Sequence, residues 1–506
     1  MTESVINRAD ARSATWDDKA RRAYERSVRF LFLAAASVEC PGARVSIEHS
    51  VHYGVYASLS QPVDNFTVAR IERRMRMSVE ADAPFTREDW PISKLRELYE
   101  EGGQAPAARL LERGPAALTD KVPVYSLDGY RDYLFGELLP SAGALKVFAL
   151  RPYAPGVVLR IPSSDPGTLL EWTAQHKFMR TFEQAARWAR ILNVRYAADL
   201  NDCARNGGIR DVALVSEALH EKSIAEIADQ IVERGARAIL VAGPSSSGKT
   251  TFTHRLAIQL RVLGKRPMLI SLDDFYLPRP EIPLDEKGER DLEHIDALNI
   301  PLLNKRLSSL LEGETVVMPQ YDFTRGAARV GPTARLGEGQ PLLIEGIHGL
   351  NPRVSASLPR DMCLRVYISP LTALNLDAHN RLRTTDARLI RRVVRDHQFR
   401  GAGIERTLGM WPSVRRGEER WIFPYQETAD VSFNSALPYE WTALKKYAAP
   451  LLAEAVGTPE MSSTLERLRL CMDFIEGADV ERDIGPTSLL REFIGGCSFY
   501  SPSETE

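Results

Sequence analysis

Eight residues, Gly243 to Thr250, constrain this chain more than any other stretch: GPSSSGKT, a Gly, four residues, a Gly, a Lys and a Thr. An apolar run, ARAILVAG, leads into them, and a helical pattern from Lys249 to about Leu263 follows. The glycines let the backbone bend until successive N–H groups point inward, and the helix that follows adds its positive end. Gly243, Ser245, Ser246, Ser247, Gly248 and Thr251 would form the cradle for the phosphates of ATP. Lys249 would reach the outer phosphates, and the Thr250 hydroxyl is a natural Mg2+ ligand.

Such a loop needs a strand before it and a helix after it, and the downstream pattern supplies more of both. PMLISL ends at Asp273, LLIEG carries Glu345 at its end, and MCLRVYIS ends near Ser369. Strands alternating with helices predict a parallel sheet with helices on both faces. Ligands of such sheets sit beyond the carboxyl ends of the strands, so the loop, Asp273 and Glu345 should share one rim. A carboxylate at Asp273 or Asp274 could take a proton from an attacking hydroxyl, or cap a turn. Glu345, isolated at the end of an apolar run, should face a metal rather than the core.

The chain has 506 residues, which suggests two or three domains. Its net charge is -2, so any basic surface must be local. The five cysteines are scattered without a CxxC pair, which argues against a disulfide framework or a thiolate zinc site. The first residues are polar, and the apolar run Phe30 to Ala36 is too short to span a bilayer, so a cytoplasmic protein is expected.

The predicted organisation is a flexible tail over 1–18, an α+β domain over 19–200, a Gly-rich linker over 201–215 and the nucleotide-binding domain with a helical extension over 216–506. Residues 66–85 read as an amphipathic helix. GALKVFALRPY and GVVLRIPS read as strands joined by a turn at Pro155-Gly156. His49 and His52 lie three apart with no third ligand evident, which favours a structural role.

Between 381 and 406 stand eight arginines: Arg381, Arg383, Arg388, Arg391, Arg392, Arg395, Arg400 and Arg406. Four of them, in RLIRRVVRD, recur at helical spacing, and guanidinium groups clamp phosphoryl oxygens. Gly401 and Gly403 follow, as expected of a lid that closes over the nucleotide. A solvated basic face or an RNA-binding stripe is the competing reading. Trp411, Trp421, Phe423 and Tyr425 could wall a cleft, but packing is the preferred expectation.

Taken in order, GPSSSGKTT, DDFY, EHIDALN, MPQYDF, EGIHGL and DARLIRRVVRDHQFRG make residues 236–440 resemble the uridine kinase and phosphoribulokinase family of P-loop kinases. The resemblance implies ATP-dependent phosphorylation of a hydroxyl on a nucleoside or similar small molecule. It implies Asp273 as catalytic base, Lys249, Arg388 and Arg392 at the transferring group, Arg391 and Arg395 on the nucleotide, and Thr250 and Glu345 as Mg2+ ligands. Acceptor contacts are implied at Asp273, Tyr276, Glu293, His294, Tyr321 and Arg325. Two departures stand out: Glu293 precedes His294 where pyrimidine nucleoside kinases carry an aspartate, and TRGAAR follows Tyr-Asp-Phe without their base-contacting histidine.

Residues 20–200 resemble the second additional domain of threonyl-tRNA synthetase, through HSVHYGVYASL, ARIERRMRMSVEADAPF and LDGYRDYLFGELLPSAGALKVFAL. Arg26, Phe30, Leu134 and Leu138 stand where that family carries its editing residues, so hydrolysis of mischarged tRNA is not expected. An ATP-gated RNA- or tRNA-binding regulator is the alternative function. A small-molecule acceptor is the expected partner; RNA contact through the N-terminal domain and self-association are left open.

Overall fold

The computed structural model describes residues 16, 18–112, 121–163 and 165–499. Most of the expected tail, 1–18, lies outside them. The chain forms two compact units. The first comprises residues up to Gln175 together with Arg195–Asp199 and Ala373–Arg383; the second comprises the rest.

In the first unit the chain runs α1 (Asp18–Glu39), β1 (Val45–Val51), β2 (Gly54–Leu59), α2 (Asn65–Glu80), β3 (Thr86–Pro91), α3 (Ile92–Glu101), α4 (Ala105–Glu112), β4 (Lys121–Leu127), β5 (Tyr130–Asp132), β6 (Ala149–Tyr153) and β7 (Gly156–Arg160). A four-stranded antiparallel sheet has the order β1-β2-β7-β6, and a smaller one has β3-β4-β5. Helix α2 starts where Asp64 accepts the Thr67 N–H, an N-cap that satisfies one of the helix's orphan donors. Its buried Val68, Ile71 and Met75 pack with Phe30 and Leu31 of α1 in one core. His49 is buried on β1 against the Tyr56 ring.

The stretches around Arg26 and Leu134 meet by packing. The Arg26 guanidinium donates to Glu137 O at 2.9 Å, while Phe30, Leu134 and Leu138 enter the same apolar core. The return segment Ala373–Arg383 is fixed by buried polar groups. Asp132 accepts from Tyr99 and Tyr130 hydroxyls at 2.8 Å each and pairs with His379 at 2.6 Å. Arg381 and Arg383 both reach Glu25 at 3.1 Å.

The second unit contains α5 (His176–Leu192), α6 (Ala197–Asn206, whose first turn falls in the first unit), α7 (Ile209–Glu233), β8 (Ala238–Ala242), α8 (Lys249–Val262), β9 (Met268–Ser271), α9 (Ile300–Leu311), β10 (Thr315–Asp322), β11 (Ala327–Arg335), β12 (Leu342–Glu345), β13 (Cys363–Ser369), α10 (Thr384–Phe399), α11 (Ile404–Trp421), β14 (Val431–Asn434), α12 (Glu440–Glu454), α13 (Pro459–Asp473) and α14 (Arg491–Ile494). Its five-stranded sheet is wholly parallel, in the order β14-β13-β8-β12-β9. Alternate residues of β8 serve opposite faces: Ile239 and Val241 pack with Ile227, Phe252 and Leu256, whereas Ala238 and Leu240 pack with Leu303 and Leu307. Burial on both faces is why these strands read as unbroken apolar runs.

The stretch 201–215, expected as a linker, is helical. Asn201 donates to Phe474 O at 2.8 Å and Arg205 pairs with Glu476, so distant contacts outweigh its loop-like composition; only Gly207, at φ +82°, breaks the run. Residues 176–194, expected in the N-terminal domain, pack as α5 in the second unit. Among the described residues no helix is long and apolar enough to cross a membrane.

Candidate active site

The loop between β8 and α8 is held in the shape that its glycines allow. Ser246 and Gly248 both adopt left-handed φ, +59° and +83°, and the Ser247 N–H donates back to Pro244 O at 3.2 Å. A side chain at Gly243 would sit 2.3 Å from Ile368 O, so only glycine fits there. The Ser246 and Ser247 hydroxyls are buried with no partner among the described residues. A buried unpaired polar group costs about 1–3 kcal/mol, and both sit in a loop whose form suits phosphate oxygens. The donor set therefore fits a triphosphate, and the hard oxygens of Thr250 and Glu345 fit Mg2+.

Lys249 lies at the centre of the rim. Burial lowers its pKa, while Glu345, Glu492, Asp273 and Glu293 all pull it up. Glu345 ends β12 and accepts from the Ser271 hydroxyl of neighbouring β9 at 3.2 Å. Loss of water, then the charge of Asp273, pushes its carboxyl up to about 7. Asp273 follows β9 in a short turn and is exposed. Its carboxyl is raised by the surrounding protein, with Lys249, Arg400 and Arg395 opposing. Asp274 differs: it accepts the Tyr321 N–H at 3.2 Å and so anchors β10.

The four arginines of α10 do not form one open clamp. Arg388 donates to Ser245 O at 2.9 Å and holds buried Glu418 through both terminal nitrogens. Arg391 is fully buried, donating to Glu440 and, at 2.8 Å, to Ser435 O. These two tie α10 to the phosphate loop, to α11 and to the start of α12. Arg392 donates to the Ser245 hydroxyl at 2.9 Å and lies 3.2 Å from Asp396, which also pairs with Arg395 at 2.8 Å. In this conformation α10, the helix expected to act as a lid, is packed inward with Arg388, Arg391 and Arg392 buried. The same burial takes Arg388, Arg391 and Arg392 out of any exposed basic stripe.

Among the residues expected to contact an acceptor, the Tyr276 hydroxyl donates to Leu292 O at 2.9 Å, and its ring stands 5.7 Å from that of Tyr321. Glu293 is half-buried, and loss of water pushes its carboxyl up to about 7 against the pull of Arg392 and Lys249. His294 accepts the Asp296 N–H through Nδ1, and its ring contacts Trp421 at 4.5 Å. Arg325 does not join this group: 85% exposed, it pairs with Asp322 in the β10–β11 turn. Trp411 is core, as expected, whereas Trp421 stands against His294. Sequence reasoning missed Glu418, Glu440 and Glu492 as well as His348. The first two are long-range partners with no local signal; Glu492 accepts from the Thr251 hydroxyl at 2.9 Å.

Residues 238–440 match the Phosphoribulokinase / Uridine kinase family. A uridine kinase of Deinococcus deserti is 31% identical over 192 residues, covering 38% of this chain and 84% of the relative. Uridine kinases of Lactobacillus helveticus and Halobacterium salinarum are 28% and 30% identical, each over 38% of this chain and over 82% and 78% of their own lengths. The parallel sheet, the phosphate loop and the converging carboxylates are what such a match requires, and the chain belongs to the phosphoribulokinase and uridine kinase family as a P-loop kinase.

Proposed function

We propose that the chain transfers the γ-phosphoryl group of ATP to a hydroxyl of a nucleoside or nucleoside-like small molecule. The observation that carries this reading is convergence: Lys249, at the end of the phosphate loop, lies in the fields of Asp273, Glu345 and Glu293 together. In it, the loop N–H groups and the Ser246 and Ser247 hydroxyls hold the phosphates, and Lys249 offsets charge on the outer ones. Mg2+ held by Thr250 and Glu345 would neutralise charge on the phosphoryl oxygens. Asp273 takes the proton of the attacking hydroxyl, its raised pKa making it the better base near neutrality. Arg392, Arg395 and Arg400 supply positive charge along the transfer path. Arg388 and Arg391 act through position, by fixing α10 to the loop. Glu293 and His294 hold the acceptor, with Tyr276 and Tyr321 as its aromatic wall.

The missing histidine after Tyr321-Asp322-Phe323 leaves the base less specified than the sugar. For the N-terminal unit we propose a non-hydrolytic role, supported by the apolar packing of Phe30, Leu134 and Leu138.

The test is incubation of the purified chain with ATP, Mg2+ and a panel of nucleosides and polyols. The reading predicts a phosphorylated product from at least one hydroxyl compound, abolished by EDTA. ATP binding without any product across the panel would refute it.

A further inference from the structure

His348 has no part in the transfer as derived above. It lies in the turn after Glu345, where the backbone is pinned: the Gly346 N–H donates to Val241 O at 3.1 Å and the Asn351 N–H donates to His348 O at 2.8 Å. A side chain at Gly349 would meet Val241 O at 2.8 Å, so the turn lies hard against the end of β8. The imidazole is thus carried by strand ends rather than by a free loop.

That ring is 1% exposed; the Glu293 backbone stands within hydrogen-bonding reach of one nitrogen, and the other has no partner among the described residues. It lies near Lys249, Arg353 and His294; burial first, then those charges, pushes it down to about 3, with the hydrogen bond to the Glu293 backbone opposing. A neutral imidazole presents one donor and one acceptor. Two further buried atoms of the same neighbourhood are unpaired among the described residues: Glu293 Oε2 and Trp421 Nε1. Gly417 and Trp421 of α11 close this wall, since a side chain at Gly417 would stand 2.2 Å from Glu293 Cβ and the Trp421 ring lies 4.5 Å from that of His294.

Buried polar atoms are seldom left unpaired, and a group of them beside the phosphate lysine marks a place for a ligand. The match must both donate and accept. Hydroxyls do both. A carboxylate or phosphate would be repelled by Glu293, and an apolar ring would leave every one of these atoms unpaired. We propose that His348 is a specificity-determining residue for the acceptor, its imidazole hydrogen-bonding one hydroxyl of a vicinal diol whose other hydroxyl is held by Glu293. The inference rests on the kinase reading above. A diol of this kind belongs to the ribose of a nucleoside, to a free sugar or to a small polyol.

The test measures kcat and KM with uridine, cytidine, adenosine, D-ribose and glycerol, and with 2′-deoxyuridine and 3′-deoxyuridine, for the wild type, His348→Leu and His348→Asn. The account expects His348→Leu to raise the KM of the preferred diol about 10- to 100-fold while the KM of ATP stays within about twofold. His348→Asn, which restores a donor and an acceptor, should recover part of the loss. One deoxy analogue should be indifferent to His348→Leu, because the hydroxyl that the ring would hold is already missing. If His348→Leu does not fold, His348→Asn and the deoxy series still decide the matter. Unchanged acceptor KM, or equal losses for ATP and acceptor, would overturn the assignment and leave the kinase reading standing. A wild type that binds ATP but phosphorylates nothing would remove both.

Discussion

Glu293 and Asp273 are both carboxylates raised by loss of water, and the two have different work to do. With its pKa at about 7, Glu293 changes charge within the working range of an enzyme. As an ionised acceptor of hydroxyl hydrogens it should bind better as pH rises. The KM of the acceptor should therefore fall through pH 7, and Glu293→Gln should flatten that profile; a slope that survives the substitution would reassign the titrating group. At this scale position alone placed Asp273 and Asp274 together at a strand end and left base or turn cap open, while the Asp-x-Phe-Tyr resemblance pointed to Asp273. The structure distinguishes them in one respect: Asp274 accepts the Tyr321 N–H, and Asp273 is exposed. His348 was illegible for a related reason: an unpaired nitrogen is a property of surroundings, not of residue order.

At the scale of elements, the Arg388–Glu418 pair joins α10 to α11 with both side chains almost wholly buried. Removing one partner of such a pair costs about 3–5 kcal/mol because a charge is left uncompensated. Glu418→Gln should therefore lower the urea midpoint sharply. It should also weaken ATP binding, since Arg388 anchors Ser245 of the phosphate loop. A variant with unchanged midpoint and ATP affinity would show the pair to be dispensable. Periodicity made α7, α8 and the central strands legible. It failed for the β10–β11 hairpin, where Val317 and Val330 are exposed and Gly331 and Pro332 interrupt β11, so no period-two apolar signal exists. The arginine spacing correctly announced a helix but not its facing, because Glu418 and Glu440 lie far along the chain.

Across the whole molecule, the first unit should carry its own pH dependence. Burial pulls His379 down, but the charge of Asp132 and their hydrogen bond outweigh it, and the net pKa lies above the ordinary 6.5. That raised value contributes stability fully present below about pH 6.5 and lost as pH rises through the folded pKa. Burial pushes Asp132 up, but His379, Tyr130 and Tyr99 bring it below 3.8, so its share is present above that value and lost as pH falls through the depressed pKa. Hydrogen-exchange protection in β4 and β5, taken relative to the intrinsic exchange rate at each pH, should accordingly be greatest between these limits, and Asp132→Asn should erase the alkaline loss; protection that stays constant with pH in the wild type would contradict it. The compact units divide the chain differently from the expected domains, with residues 176–194 in the second unit and 373–383 in the first. The return of residues 373–383 depends on Asp132, Glu25 and their partners more than two hundred residues away.

The most direct test of the transfer chemistry is Asp273→Asn, assayed for phosphorylation of the preferred acceptor and for affinity toward a non-hydrolysable ATP analogue. A lost general base should reduce kcat by about 100- to 10,000-fold, with the analogue's Kd within a few-fold of the wild type. Turnover that persists undiminished in that variant would contradict the assignment of Asp273 and the mechanism built upon it.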